Sequence, residues 1–326
     1  MAEEKTYPYA VARIRVLEKQ LLNRQMFIQM AEAKSPEDSL RIIAEAGYAD
    51  TSNNNIHNFE NILTQELSKT YEILKSLAPE EKFVDVFLYK NDYHNLKVLI
   101  KEEISGVDGE KYLIDGGTIP LIKLRESLAN RSFSDLPKVM SSAILEAFDV
   151  YSKTQNGQMV DIVLDKATFT SMKETAKESQ NKFVIDYVMK VCDLTNLKSF
   201  IRVKNMKKDF DMFMNVFVSG GSLDKEKFLE AFSSDTPASC FKSTSYSDDV
   251  CKNGMDSGFT VFEKLCDDYL MEYVRGAKFK PLTLEPLIAY LYAKESEIKT
   301  IRIILTSKLN NIDADTIKER LRDAYV

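Results

Sequence analysis

Tryptophan is absent from the 326-residue sequence, and histidine (2), cysteine (4), proline (8) and glycine (11) are all scarce. Glycine and proline together stand at about half the ~12% of an average chain, so few positions can stop a helix and the chain reads as all-α. The two histidines, His57 and His94, have no cysteine or carboxylate at metal-ligand spacing, which excludes the usual zinc patterns. Cys192, Cys240, Cys251 and Cys266 form no C-x-x-C pair. Scattered through a large chain, they read as ordinary thiols of a reducing cytosol and not as a disulfide framework. No run approaches the ~18–20 apolar residues of a membrane span. The opening MAEEKTYPYAVARIRVLEK carries acids where a signal peptide has its basic region, so a cytosolic chain is expected, with docking on a membrane complex left open. A formal charge of −6 argues against a nucleic-acid binder.

What is present is apolar residue at helical spacing: 44% of the chain is hydrophobic, ample for a buried core, and the length allows two or three domains. Val11, Ile14, Leu17, Leu21 and Leu22 predict an amphipathic helix from about Tyr9 toward Ala33. Ser35-Pro36-Glu37-Asp38 predicts the start of the next, with Ser35 as cap and Pro36 in the first turn, and Gly47 predicts its end. Asp50 to Asn55 reads as a loop, and Phe59, Ile62, Leu63, Leu67 and Tyr71 as a third helix that ends before Ala78-Pro79. The strand-like Val216-Phe217-Val218 has no hairpin partner. The Ser-, Asp- and Gly-rich Cys240–Gly258 segment reads as a mobile connection.

Three segments about a hundred residues apart repeat one another: DVFLYKNDYHNLKVLI (85–100), DYVMKVCDLTNLKSFI (186–201) and YLYAKESEIKTIRIIL (290–305). Tyr93, Leu194 and Ile298 coincide. So do Leu96, Leu197 and Ile301; Leu99, Phe200 and Ile304; and Ile100, Ile201 and Leu305. Asp92, Asp193 and Glu297 form an acidic column, read as solvated or ion-paired, and Lys97, Lys198 and Arg302 a basic one. The apolar columns share one helix face. Downstream of the first two copies, Asp115-Gly116-Gly117-Thr118 echoes Ser219-Gly220-Gly221-Ser222, an element that no residue after the third copy supplies. Three related helical modules follow, 1–117, 118–221 and 222–326. They are compatible with a pseudo-threefold arrangement around a central depression or with an open solenoid, and either serves binding. The basic column then lines an opening that receives an acidic partner helix, or lies on an outer face bonded to local acids.

Catalytic patterns are missing. There is no G-x-x-x-x-G-K-[ST], G-x-S-x-G or H-E-x-x-H, and the glycine pairs lack the lysine of a phosphate cradle. Asp313-Ala314-Asp315 lacks the Gly and Glu of a calcium loop and reads as a helix cap. No catalytic, cofactor or metal residue is expected.

The two ends of the chain carry a resemblance. Tyr9-Ala10-Val11-Ala12-Arg13-Ile14-Arg15-Val16-Leu17-Glu18 is one stretch, and Glu285-Pro286-Leu287-Ile288-Ala289-Tyr290-Leu291-Tyr292-Ala293-Lys294-Glu295-Ser296-Glu297-Ile298-Lys299-Thr300-Ile301-Arg302-Ile303-Ile304 is the other. With Lys308-Leu309-Asn310, Ile317-Lys318-Glu319-Arg320-Leu321-Arg322 and Tyr325-Val326, they resemble the C subunit of bacterial and archaeal V/A-type ATPases, the counterpart of the eukaryotic d subunit. The middle of the chain, especially 105–180 and 205–260, resembles that family in pattern only. The resemblance implies three helical domains in a funnel on the cytoplasmic face of a membrane proteolipid ring, with the central shaft of the soluble head plugged into it. A protein of this kind couples rotor parts for H⁺ or Na⁺ transport and catalyses nothing. Lys97, Lys198 and Arg302 are expected at the shaft socket, and Arg13 and Arg15 are expected in structural pairs with Glu285 or Glu295. A free-standing cytosolic helical scaffold is the alternative.

Overall fold

Ser35 shows how local chemistry sets the helix starts. Its Oγ accepts the Asp38 N–H at 3.1 Å, Pro36 occupies the first turn, and Glu37 and Asp38 meet the positive helix end, as the sequence predicts. Asp313 acts likewise, accepting the Thr316 N–H at 2.9 Å. Gly47, at φ +92°, takes the left-handed backbone that lets the chain leave the preceding helix.

The computed structural model describes residues 7–48, 56–78 and 82–326, apart from the side chain of His57. The expected loop from Asp50 to Asn55 lies outside the described residues, as does Pro79. Four helices come first, α1 (Pro8–Glu18), α2 (Arg24–Glu32), α3 (Pro36–Glu45) and α4 (Phe59–Leu77). Next come α5 (Lys82–Ser105), α6 (Leu121–Ala129), α7 (Lys138–Thr154), α8 (Gly157–Glu178), α9 (Lys182–Asn205), α10 (Phe210–Val216) and α11 (Lys225–Ser233). The chain ends with α12 (Phe259–Arg275), α13 (Glu285–Leu309) and α14 (Ala314–Glu319). The described residues contain no strand, so the protein is all-α and Val216-Phe217-Val218 joins no sheet.

Two compact units divide the chain. One joins both ends, Met1–Pro79 with Phe241–Val326, and the other is Glu80–Cys240. In the first, Ile298, Ile301, Ile304 and Leu305 of α13 pack against Phe27 and Met30 of α2, Leu40 and Ile43 of α3, and Leu63 of α4. In the second, Leu96 and Ile100 of α5 share a core with Leu124, Met140, Ile144 and Leu164 of α6, α7 and α8. All twelve residues of the repeated apolar columns are buried. Each such side chain contributes about 1.5–3 kcal/mol relative to exposure.

Two local expectations fail for identifiable reasons. The helix predicted from Tyr9 to Ala33 breaks after Glu18 and restarts at Arg24. Asn23 caps the restart by accepting the Met26 N–H at 3.0 Å, and the Leu22 N–H leaves the helical path to reach the Glu297 carboxylate. A distant acceptor wins over local periodicity. The Cys240–Gly258 segment is packed, with Phe241, Tyr246, Val250 and Cys251 buried and a π-helical turn over Ser247–Lys252. The Tyr246 ring lies 5.0 Å from that of Tyr269 on α12.

The α9–α11 part of the second unit is organised by rings. Phe213 lies 5.0 Å from Phe228 and 6.0 Å from Phe200, and all three are inaccessible to solvent. Phe213→Ala is expected to lower stability by about 3–5 kcal/mol, read as a reduced midpoint in urea unfolding.

Candidate functional site

The acidic column defines the most unusual local chemistry in the molecule. Of the two expectations for these acids, solvated or ion-paired, solvation fails at all three. Asp92 and Asp193 are fully inaccessible and Glu297 is only 4% exposed, while Glu297 is ion-paired with Lys294. A buried carboxylate needs donors in place of its lost water, and each of these three receives them. Asp92 accepts the Thr118 N–H at 3.0 Å, the Thr118 hydroxyl at 2.7 Å and the Ile119 N–H at 3.1 Å. Asp193 accepts the Ser222 N–H at 2.9 Å, the Ser222 hydroxyl at 2.7 Å and the Leu223 N–H at 2.9 Å. The two clasps match donor for donor. Both unite a long helix with the residues just after a glycine pair.

The second glycine of each pair has a steric reason. A Cβ on Gly117 would stand 2.1 Å from Asp92 Oδ1, and one on Gly221 would stand 2.0 Å from Asp193 Oδ1. Only glycine lets the backbone come so close. One helical turn further along, Asn95 donates to the Ile114 carbonyl at 2.8 Å and accepts the Ile114 N–H at 2.9 Å. Asn196 does the same with Val218, at 2.8 Å in both directions. The D-x-x-N spacing that generates this double anchor stands in the sequence at Asp92–Asn95 and Asp193–Asn196, with the Gly-Gly-hydroxyl motif downstream. In the sequence the aspartates and the glycine pairs each stand out by repetition, but only the fold joins them.

The third copy has its clasp after all, supplied from the other end of the chain. Glu297 accepts the Leu22 N–H, the Tyr48 hydroxyl at 2.6 Å and the Lys294 ammonium at 2.8 Å. Lys294 is 2% exposed and also lies 3.5 Å from Glu66. Burial, and then the Glu297 charge, push the Tyr48 hydroxyl well above its usual range, so it stays a protonated donor. The asparagine column ends in Thr300, whose hydroxyl turns back to the Ser296 carbonyl of its own helix at 2.9 Å.

The basic column lies beside these clasps. Lys97 on α5 pairs with Asp165 on α8, and Arg302 on α13 pairs with Glu60 on α4 at 2.9 Å. Lys198 on α9 is half-buried and engaged by neighbouring groups. Arg15 pairs with Glu18 at 2.8 Å and donates to the Lys278 carbonyl at 2.9 Å, which replaces the expected pairing with Glu285 or Glu295. Glu295 instead accepts the Tyr71 hydroxyl at 2.6 Å. His94 Nε2 lies 2.8 Å from the Tyr112 carbonyl. Among the described residues, no group of three or more His, Cys, Asp or Glu side chains could hold a metal ion.

All four cysteines are free thiols. Burial pushes the Cys192 and Cys251 thiols up to about 12, so they remain protonated at neutral pH. In the native protein a thiol-specific reagent such as DTNB is expected to modify the half-buried Cys240, while the buried Cys192, Cys251 and Cys266 react only after unfolding. Asp193→Ala strands three donors and is expected to cost about 3–5 kcal/mol in chemical denaturation. Gly221→Ala is expected to lower the same midpoint by driving a methyl group into the carboxylate.

Comparison with known proteins agrees in extent and identity. The family model described as "ATP synthase (C/AC39) subunit" matches residues 10–320. Over 318 residues the chain is 26% identical to the C subunit of the V-type sodium ATPase of Enterococcus hirae, covering 96% of this chain and 97% of that protein. It is 22% identical over 330 residues to the C subunit of the A-type ATP synthase of a Desulfurococcus species, covering 96% and 90%. It is 24% identical over 345 residues to that of Methanocaldococcus jannaschii, covering 97% and 86%. With the match running through all three clasps and nearly the whole chain, the protein belongs to the ATP synthase (C/AC39) subunit family.

Proposed function

We propose that this protein is the non-catalytic central-stalk subunit of a rotary V/A-type ATPase or ATP synthase. It joins the shaft of the soluble head to the membrane proteolipid ring, peripheral to the cytoplasmic face, for H⁺ or Na⁺ transport. The observation that carries this reading is the match over residues 10–320, with relatives named as C subunits of such machines that align along nearly their whole length. No helix among the described residues is long and apolar enough to cross a membrane, which is compatible with a peripheral position.

The clasps support a mechanical role. We propose three modules, 1–117, 118–221 and 222–326, in which the long helix of each holds the opening residues of the next. Asp92 of the first module holds Thr118, and Asp193 of the second holds Ser222. Glu297 of the third holds Leu22 of the first, which closes the series. Chain segments tied in this way resist being pulled apart, and close-packed helices transmit load because they compress little.

Lys97, Lys198 and Arg302 are proposed to contact the shaft, with Lys97 beside Asp165 and Arg302 beside Glu60. Pull-down from detergent-solubilised membranes, with and without isolated shaft proteins, tests the role. Recovery of proteolipid, increased by added shaft, is expected, and recovery of neither supports a free-standing scaffold. Reversing all three cations to glutamate is expected to weaken shaft binding at least tenfold. Asp165→Asn with Glu60→Gln removes the local pairs and keeps the cations, and is expected to leave binding within about threefold of the starting value, because exposed pairs contribute only ~0–1 kcal/mol.

A further inference from the structure

The Gly276–Thr283 loop and the adjoining α1 form a surface that none of the preceding chemistry uses. Phe279 is 84% exposed, Tyr9 73% and Leu282 51%. A large aromatic side chain left in water on a short loop normally folds back onto the protein, but this loop is held in place. The Tyr7 N–H donates to the Leu282 carbonyl at 3.2 Å, and the Arg15 guanidinium donates to the Lys278 carbonyl at 2.9 Å. From the other side, the Lys278 ammonium donates to the Tyr325 carbonyl at 2.5 Å and sits 4.5 Å from the Tyr325 ring centroid. The tip residue Phe279 is therefore presented outward by a tethered backbone.

Charge on this surface departs from that of the whole molecule. The chain carries −6 overall, yet between Glu272 and Glu285 it has Arg275, Lys278 and Lys280 and no acid. The neighbouring α1 adds Arg13 and Arg15 and is followed by Lys19. Local acids answer part of this. Glu18 pairs with Arg15, Glu272 lies 2.8 Å from Arg275, and Asp323 lies 3.6 Å from it. Arg13, Lys19 and Lys280 stand exposed on the same α1 and loop segments as Tyr9 and Phe279. Tyr9, Arg13 and Val16 recur at steps of four and three along one exposed stripe of α1.

We propose that this surface binds a bilayer bearing anionic headgroups, with Phe279 entering the interfacial layer and Lys280 and Arg13 meeting lipid phosphates. Aromatic rings combined with flanking cations suit the membrane interface, where the ring is buried at headgroup depth and the cations stay at the charged surface. An exposed aromatic ring flanked by exposed cations matches the charge and chemistry of an anionic headgroup layer. The inference stands on this surface alone and does not depend on the coupling role.

The absence of tryptophan makes the test direct. Full-length Phe279→Trp carries a sole indole, and its emission is expected to shift to the blue with phosphatidylcholine vesicles containing phosphatidylglycerol, and to stay unshifted with phosphatidylcholine alone. In co-sedimentation with the anionic vesicles, Lys280→Ala is expected to weaken partitioning about fivefold. Phe279→Ala is expected to weaken it roughly tenfold or more. Leu229→Ala, which alters an exposed apolar residue elsewhere, is expected to leave it unchanged. An unshifted indole emission at lipid excess, or equal partitioning of all three alanine variants, overturns the proposal. Loss of complex assembly in Phe279→Ala without any change in vesicle binding also overturns it, in favour of an acidic protein partner.

Discussion

A carboxylate removed from water costs several kcal/mol unless hydrogen-bond donors take over its hydration, and α5, α9 and α13 each carry such a group at the same helical position. At all three, donors from other residues replace the lost water: two N–H groups and a hydroxyl at Asp92 and Asp193, and one N–H, a tyrosine hydroxyl and an ammonium at Glu297. The other peculiarities of the fold depend on this requirement. Glycine is needed at positions 117 and 221, where the backbone comes too close to Asp92 and Asp193 for a Cβ. The first predicted helix must break at Leu22, because its N–H belongs to Glu297. The two ends of the chain share one unit, and the third acid, held by residues of the N-terminal stretch, is one of the contacts that bind them.

Surface ion pairs play a smaller part. Lys97–Asp165 and Arg302–Glu60 are exposed enough for water and salt to weaken them, and pairs of this kind contribute little to stability. The coupling role proposed above would require resistance to deformation between two contact surfaces. A buried clasp with three matched donors meets it better than a flexible lysine in solvent. The Glu297 site differs from the other two in using a buried ammonium and a tyrosine hydroxyl as donors, so it joins three stretches of chain, at Leu22, Tyr48 and Lys294.

Much of the fold is legible because periodicity is a local property. The twelve apolar column residues are buried as their spacing requires, and the Ser35 and Asp313 caps form as read. Long-range polar contacts are not legible, because nothing near Leu22 in the sequence states that an acid some hundreds of residues later will accept its N–H. The Cys240–Gly258 segment misleads through composition. Its serines and aspartates hide Phe241, Tyr246, Val250 and Cys251, whose uneven spacing matches neither an α-helix nor a strand. The acidic column is visible in the sequence but its burial is not, since an aspartate at the edge of a helix face is ordinarily solvated, and only the paired asparagine and the downstream glycines reveal that these are not.

The central claim is that the three buried carboxylate clasps, including the one that joins the two ends of the chain, hold as fixed parts of the native structure. Native-state hydrogen exchange at the amides of Leu22, Thr118, Ile119, Ser222 and Leu223 tests it most directly. Protection of all five approaching that of the surrounding helices is the predicted result, because each N–H is bonded to an inaccessible carboxylate. Exchange of these amides at the rate of an open loop, with the long helices still protected, would contradict it.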